Sequence, residues 1–311
     1  MKKILPKVLL SVMGSMFAIV LSGCKLVVLD PKGTIGLQEK SLIMMTAGAM
    51  LCIVIPVIIA TIIVAWRYRK SNTNSTYAPK WDFSYTLETI IWGVPMCLIA
   101  FIAYHTYISS HKLDPYKPIL APANNPHAKP INLQVIALNW KWLFIYPDYG
   151  IASVNEMAVP INTPIAFRLT SDAVMNSFWI PQLGSQVYVM AGMQTQLHLM
   201  AIEQGNYAGL TNNYSGSGYS DMKFRALAKD DKGFQDWVSK VRASSNQLND
   251  KTYAKLHIES IKNPVEYYAR VEPALFDNIV AKYNNGMVMD KITGKMIYTG
   301  STHFSNTQAG E

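Results

Sequence analysis

The chain has 311 residues, half of them hydrophobic, and only 15% carry charge, against about 25% in an ordinary soluble domain. That balance argues against a purely soluble protein. The formal charge of +8 includes Lys2, Lys3 and Lys7, which would leave with a targeting segment and lower it to +5, so the basic pI gives no ground for a nucleic-acid partner.

The first apolar run reads as export machinery. Lys2, Lys3 and Lys7 form a basic n-region, residues 8–20 an uncharged h-region, and Leu21-Ser22-Gly23-Cys24 the end of the segment. Leu-Ser-Gly-Cys resembles the bacterial lipoprotein box, which implies lipidation of Cys24 and removal of a signal peptide at 1–23. The bland alternative is an uncleaved anchor with a chance cysteine. Residues 42–66 and 89–110 are two further runs without Asp, Glu, Lys or Arg. Each is longer than about 18 residues, enough to span a bilayer, and each carries a proline, Pro56 or Pro95, which predicts a kink. Cys52 and Cys97 lie inside these spans and read as small apolar fillers. Arg67, Arg69, Lys70 and Lys80 between the spans predict a cytoplasmic connection, with both ends of a 24–111 hairpin outside. Glu88, one residue before the second run, is either a solvated helix-start carboxylate or part of a proton route.

Prolines at 115, 118, 122, 126 and 130 predict an extended linker over 112–130. Residues 131–146 read as one strand, followed by short alternating stretches between Pro and Gly turns, the pattern of an all-β sandwich over 131–230. Trp140, Trp142, Phe144 and Tyr146 alternate, which places them on one strand face. Phe234, Trp237, Val238 and Val241 have helical spacing and open a C-terminal helical appendage over 231–283, with a loosely ordered polar tail over 284–311. His127, His198, His257 and His303 show no ligand spacing, and no cysteine follows position 97.

The order of features carries a resemblance: two spans, an outward linker, the aromatic strand, Ser177-Phe178-Trp179-Ile180-Pro181, then Gly205-Asn206-Tyr207-Ala208-Gly209. Over nearly the whole chain this resembles subunit II of the haem–copper oxidases, and it implies a Greek-key, cupredoxin-like sandwich after a transmembrane hairpin. In the cytochrome c oxidases of that family the sandwich holds a binuclear copper centre. Anchored on Pro181, Gly209 and Met222, its ligand positions fall on Asn176, Thr211, Asn213, Ser215, Tyr219 and Met222, so only the methionine is kept. Soft thiolate and imidazole donors are missing, and no metal is expected in this chain.

A subunit II without copper ligands is the pattern of the bo-type quinol oxidases. Leu29-Asp30-Pro31-Lys32-Gly33, Val174-Met175-Asn176-Ser177 and Tyr214-Ser215-Gly216-Ser217-Gly218 bring the likeness nearest to the ubiquinol form. The resemblance implies a non-catalytic subunit of a proton-translocating ubiquinol oxidase in the inner membrane, with N-terminus and sandwich periplasmic. Haems and copper would lie in subunit I, with the smaller membrane subunits and the ubiquinol pool as further partners. It also implies that Glu88 stands at the cytoplasmic mouth of a proton channel, and that Trp140, Trp142, Phe144 and Tyr146 are core and docking surface for subunit I. Two rivals are a copper-containing subunit fed by a cytochrome, which fails on ligand count, and a free-standing envelope lipoprotein, which leaves both long apolar runs unexplained.

Overall fold

The structure is a computed structural model of the chain that describes residues 26–76, 78, 80–122, 129–284, 287–289 and 296–298. Cys24, the signal segment, His127 and His303 lie outside the described residues. The apolar runs form two helices, α1 (Thr34–Arg67) and α2 (Tyr85–Lys112). Both are long and apolar enough to cross a membrane, and both extend beyond the uncharged runs at each end. Helix continues through Pro56 and Pro95. Cys52 and Cys97 are free thiols on the outside of these helices.

The expected strand over 131–146 is two strands, β1 (Ile131–Leu138) and β2 (Lys141–Tyr146), joined by a tight turn and paired antiparallel from Leu138↔Lys141 onward. Then come β3 (Ile151–Val154), β4 (Glu156–Pro160), β5 (Ile165–Ser171), β6 (Asn176–Phe178), β7 (Val187–Val189), β8 (Thr195–Leu199), β9 (Gly205–Leu210) and β10 (Lys223–Lys229). Helix α3 (Asp231–Arg242) is followed by β11 (Gln247–Leu248), α4 (Asp250–His257), β12 (Glu266–Tyr268), β13 (Arg270–Val271) and α5 (Leu275–Tyr283). Within the expected polar tail, Met287–Met289 and Met296–Tyr298 pair as short antiparallel strands.

Two sheets make the sandwich: a six-stranded one in the order β12-β3-β2-β1-β5-β8, and a three-stranded one in the order β4-β10-β9. Trp142, Phe144, Phe167, Phe178 and Phe224 fill the space between them. The Tyr146 hydroxyl stitches the layers together, donating to Ala158 O at 2.8 Å and accepting from Ala158 N at 2.9 Å. Burial in this apolar layer pushes the Tyr146 phenol far above its ordinary range.

Helices α4 and α5 of the C-terminal helical appendage pack on the outer face of the six-stranded sheet. Ile136, Leu138, Leu143 and Ile145 point away from the sandwich interior and form a second core with Tyr253, Leu256, Phe276 and Ile279 of α4 and α5. The six-stranded sheet is therefore covered on both faces, and so every residue of β2 is buried. Phe234, Trp237, Val238 and Val241 of α3 are all buried, as their spacing predicts. Asp230 starts α3 by accepting from Gly233 N at 2.9 Å, and Asn249 starts α4 by accepting from Thr252 N at 3.0 Å.

The sandwich is fastened to the beginning of α1. Lys32 N donates to Gln182 O at 2.6 Å and Gly36 N to Leu183 O at 3.0 Å, while Thr34 N donates to Met200 O at 3.2 Å and Ile202 N to Lys32 O at 2.9 Å. Lys32 also pairs with Glu203 at 2.8 Å, and the Ser185 hydroxyl donates to the Glu39 carboxylate. A Cβ on Gly33 would stand 2.5 Å from Leu183 O and 2.7 Å from Leu183 Cα. Both are backbone atoms that cannot swing away. Gly33→Ala is expected to lower the stability of the detergent-solubilised chain by about 1–3 kcal/mol, read as a shift in thermal unfolding. Gly48→Ala, inside α1 where a Cβ meets nothing within 4 Å, is expected not to lower it.

Candidate functional site

The candidate site is the end of the sandwich where β6, the segment after β9 and the β1–β2 turn converge. Asn176 and Thr211, 35 residues apart, are brought together there. The Thr211 hydroxyl donates to Asn176 Oδ1 at 3.4 Å and accepts from Ser177 N at 3.3 Å. Asn176 Nδ2 donates to Val174 O at 2.9 Å, and Asn212 N donates to Ser177 Oγ at 2.7 Å. Both residues are buried, so the polar groups at this end are largely used on one another.

Met222 is 1% exposed and belongs to the apolar core. Beneath it the rings of Phe178 and Phe224 stack with centroids 5.0 Å apart and planes inclined at 10°, and Trp142 stands edge-on to both at 5.4 and 5.7 Å. A Cβ on Gly209 would fall inside the Phe224 ring, so glycine at 209 is what allows the ring to lie flat against β9. The aromatic stack occupies the interior under the site.

Trp140 departs from the expectation. It is not in the strand but in the β1–β2 turn, at φ +59, a left-handed conformation that costs an L-residue about 1–2 kcal/mol. Its indole Nε1 donates to Ser215 O at 2.8 Å, and the ring covers Gly216 and Gly218. Gly218 has no room for a Cβ beside that ring, and Gly216 sits at φ +104. The loop carrying Ser215 is thereby pinned to the turn, with Asn213 and Tyr219 half-buried along it and the Tyr219 ring 5.8 Å from Tyr214.

Of the six positions, Asn176 and Thr211 are in contact, and Asn213, Ser215, Tyr219 and Met222 follow on the segment after β9; their donors do not suit copper. An amide, hydroxyls and a phenol are hard oxygen donors, and the one soft group, the Met222 thioether, is sealed in the core. No three His, Cys, Asp or Glu side chains cluster among the described residues. His198 lies on β8 with Nδ1 2.9 Å from Pro115 O, and His257 Nε2 is 3.0 Å from Asp172 O.

The docking role expected of the aromatic residues is corrected for three of the four. Trp142, Phe144 and Tyr146 are fully enclosed and have no surface to offer another subunit; only Trp140 keeps part of its ring outside. Glu88 lies in the first turn of α2, exposed, in a shallow hollow lined by Trp81 and Trp92.

A second polar cluster has no signal in the sequence. Asp172, 2% exposed at the end of β5, accepts from Tyr253 Oη and Tyr283 Oη at 2.6 Å each and from Lys282 Nζ at 2.9 Å, while His257 Nε2 stands 3.4 Å from its carboxylate. One carboxylate thus ties α4 and α5 to the sandwich. Lys141, 1% exposed, supports the same layer by donating to Leu256 O at 2.9 Å and Ile258 O at 2.7 Å at the end of α4. Burial lowers the Lys141 ammonium below its ordinary value.

Burial, and then the negative Asp172 beside it, raises the Tyr253 phenol well above its usual range; burial and the hydrogen bond to Asp172 do the same for Tyr283. Folded phenols therefore keep protons that unfolded ones release above about pH 10. The unfolded state then binds fewer protons, so stability is intact below that pH and falls as pH rises through it. The expected observation is a loss of near-ultraviolet circular dichroism above about pH 10, accompanied by a step in phenolate absorbance from the buried tyrosines. Asp172→Ala, which strands two hydroxyls and an ammonium, is expected to cost about 2–4 kcal/mol in denaturant unfolding.

Comparison with known proteins agrees with this architecture. The family described as cytochrome c oxidase subunit II, periplasmic domain, matches residues 150–227, and the COX aromatic rich motif matches residues 242–287, the segment that carries α4 and α5. The chain is 56% identical to ubiquinol oxidase subunit 2 of Acetobacter aceti over 94% of both chains. It is 48% identical to cytochrome bo(3) ubiquinol oxidase subunit 2 of Pseudomonas aeruginosa, over 86% of this chain and 80% of that one. With quinol oxidase subunit 2 of Bacillus cereus it shares 34% identity over 76% of this chain and 80% of that one. At that identity and coverage the chain belongs to the quinol oxidase subunit 2 family.

Proposed function

We propose that this chain is the non-redox subunit II of a proton-translocating ubiquinol oxidase of the aerobic respiratory chain. The complex transfers four electrons from two ubiquinols to one oxygen molecule, giving two ubiquinones and two waters. The observation that carries the reading is the closed end of the sandwich: Asn176 and Thr211 bond to each other over the Phe178–Phe224 stack, where an electron relay would need thiolates and imidazoles. A membrane-soluble donor makes such a relay dispensable. Haems and copper belong to subunit I, which, with the smaller membrane subunits, is the partner of α1 and α2. Many large apolar side chains on these helices are exposed in the isolated chain, as expected of surfaces that meet lipid or other subunits.

In this reading the chain sits in the bacterial inner membrane with the sandwich in the periplasm, and Cys24 carries the lipid anchor. Trp140 is the one member of the aromatic set available for contact with subunit I. Glu88, exposed on the cytoplasmic side at the start of α2, delivers protons toward subunit I. The complex purified through this chain is expected to consume oxygen with a short-tail ubiquinol and not with reduced cytochrome c; uptake with cytochrome c would overturn the assignment. Glu88→Gln is expected to slow ubiquinol-driven uptake several-fold with haem content unchanged. Unaltered uptake would reduce Glu88 to a solvated helix-start carboxylate.

A further inference from the structure

A cavity of about 380 Å³ opens where the start of α1, the end of α2 and the following linker meet β8. Its depth in the bilayer follows from the helices. Gln38 precedes the uncharged run at Leu42 by about 6 Å of helix, and Lys112 follows the run ending at Ser110 by about 3 Å. Both therefore lie in the headgroup layer, which adds about 5–7 Å on each side of the hydrocarbon.

Thr34 and Gln38 line this cavity, and their buried Oγ1 and Oε1 lack a partner among the described residues. Gln38 Nε2 donates to Thr34 O at 3.4 Å. Turning the amide over would set oxygen against oxygen, so Oε1 is held as an acceptor in need of a donor. Lys112 and Lys117 line the same cavity and form no ion pair among the described residues. The one carboxylate of the lining, Asp114, accepts from Tyr116 N at 2.9 Å. Leu113 and Met200 supply an apolar floor.

We infer that this cavity binds an outer-leaflet phospholipid whose headgroup couples an anionic phosphodiester to free hydroxyls, the chemistry of phosphatidylglycerol. The phosphate faces Lys112 and Lys117, a headgroup hydroxyl donates to Gln38 Oε1, and the glycerol backbone rests on Leu113 and Met200. An ammonium headgroup would also offer donors, but beside two lysines it meets like charge. The inference rests on the bilayer placement proposed for α1 and α2.

The test uses the full chain in nanodiscs of phosphatidylcholine doped with either phosphatidylglycerol or phosphatidylmethanol, which has the same phosphodiester charge and no hydroxyl. Native mass spectrometry reads the lipid retained on release. Selective retention of phosphatidylglycerol by the unmutated chain is expected, and equal retention of the two anionic lipids would overturn the site without recourse to any variant. Lys112→Gln with Lys117→Gln is expected to lower phosphatidylglycerol retention by roughly thirtyfold, and Gln38→Leu to abolish the preference over phosphatidylmethanol. Undiminished retention by the double variant would also overturn the site. Extraction of membranes with alkaline carbonate separates the two levels: a chain that washes off loses the bilayer placement and this site with it, whereas an embedded chain without lipid preference loses the site alone.

Discussion

Backbone hydrogen bonds from Lys32, Thr34 and Gly36 hold the sandwich directly on the first turn of a membrane-capable helix. A side chain at residue 33 would break that contact against the backbone of Leu183, so the junction tolerates almost no variation in shape. Pro31 and Gly36 are buried there too, and Ile35 packs against the main core. The external domain is consequently not a bead on a string. Its position over α1 is set by main-chain geometry, and the linker after α2 closes a second connection back to β1.

With the domain fixed at its base, its interior is held together by packing and a few polar contacts. Five large aromatic side chains fill the space between the sheets, and ring pairs of this kind contribute about 0.5–1.5 kcal/mol each beyond the area they bury. The Asn176–Thr211 pair and the Trp140–Ser215 bond close the far end. On the other face of the six-stranded sheet, Asp172 and Lys141 satisfy groups from α4 and α5 that would otherwise be buried without partners. Hydrophobic packing on both faces, with a few polar ties across the seams, holds the six-stranded sheet between its two cores.

Much of this is legible in the sequence because it depends on local pattern. Uncharged runs mark α1 and α2, and Phe234, Trp237, Val238 and Val241 mark α3. Residues 131–138 even hint at a sheet buried on both sides, since alternation gives way to the continuous run Val135-Ile136-Ala137-Leu138. Trp140 misleads because the period of two persists through the turn Asn139-Trp140, which contains no glycine and whose asparagine is the only turn signal. The Asp172 cluster is invisible for another reason: its partners lie 81 to 111 residues away, and no short motif records a contact of that span. Asn176, Thr211, Asn213, Ser215, Tyr219 and Met222 can be singled out only by likeness to a family; their own residue types carry no chemistry that would draw attention to them.

The junction at Gly33 also sets an order of events in biogenesis. Residues 32–36 come first along the chain, yet their hydrogen-bond partners lie at 182–183 and 200–202, beyond both spans and half of the sandwich. Closing so long a loop must wait until the intervening chain has been threaded through the membrane and folded. The segment next to the proposed anchor is thus among the first to emerge and among the last to find its place. Until then its amides stay solvated, and α1 is free to turn about its own axis.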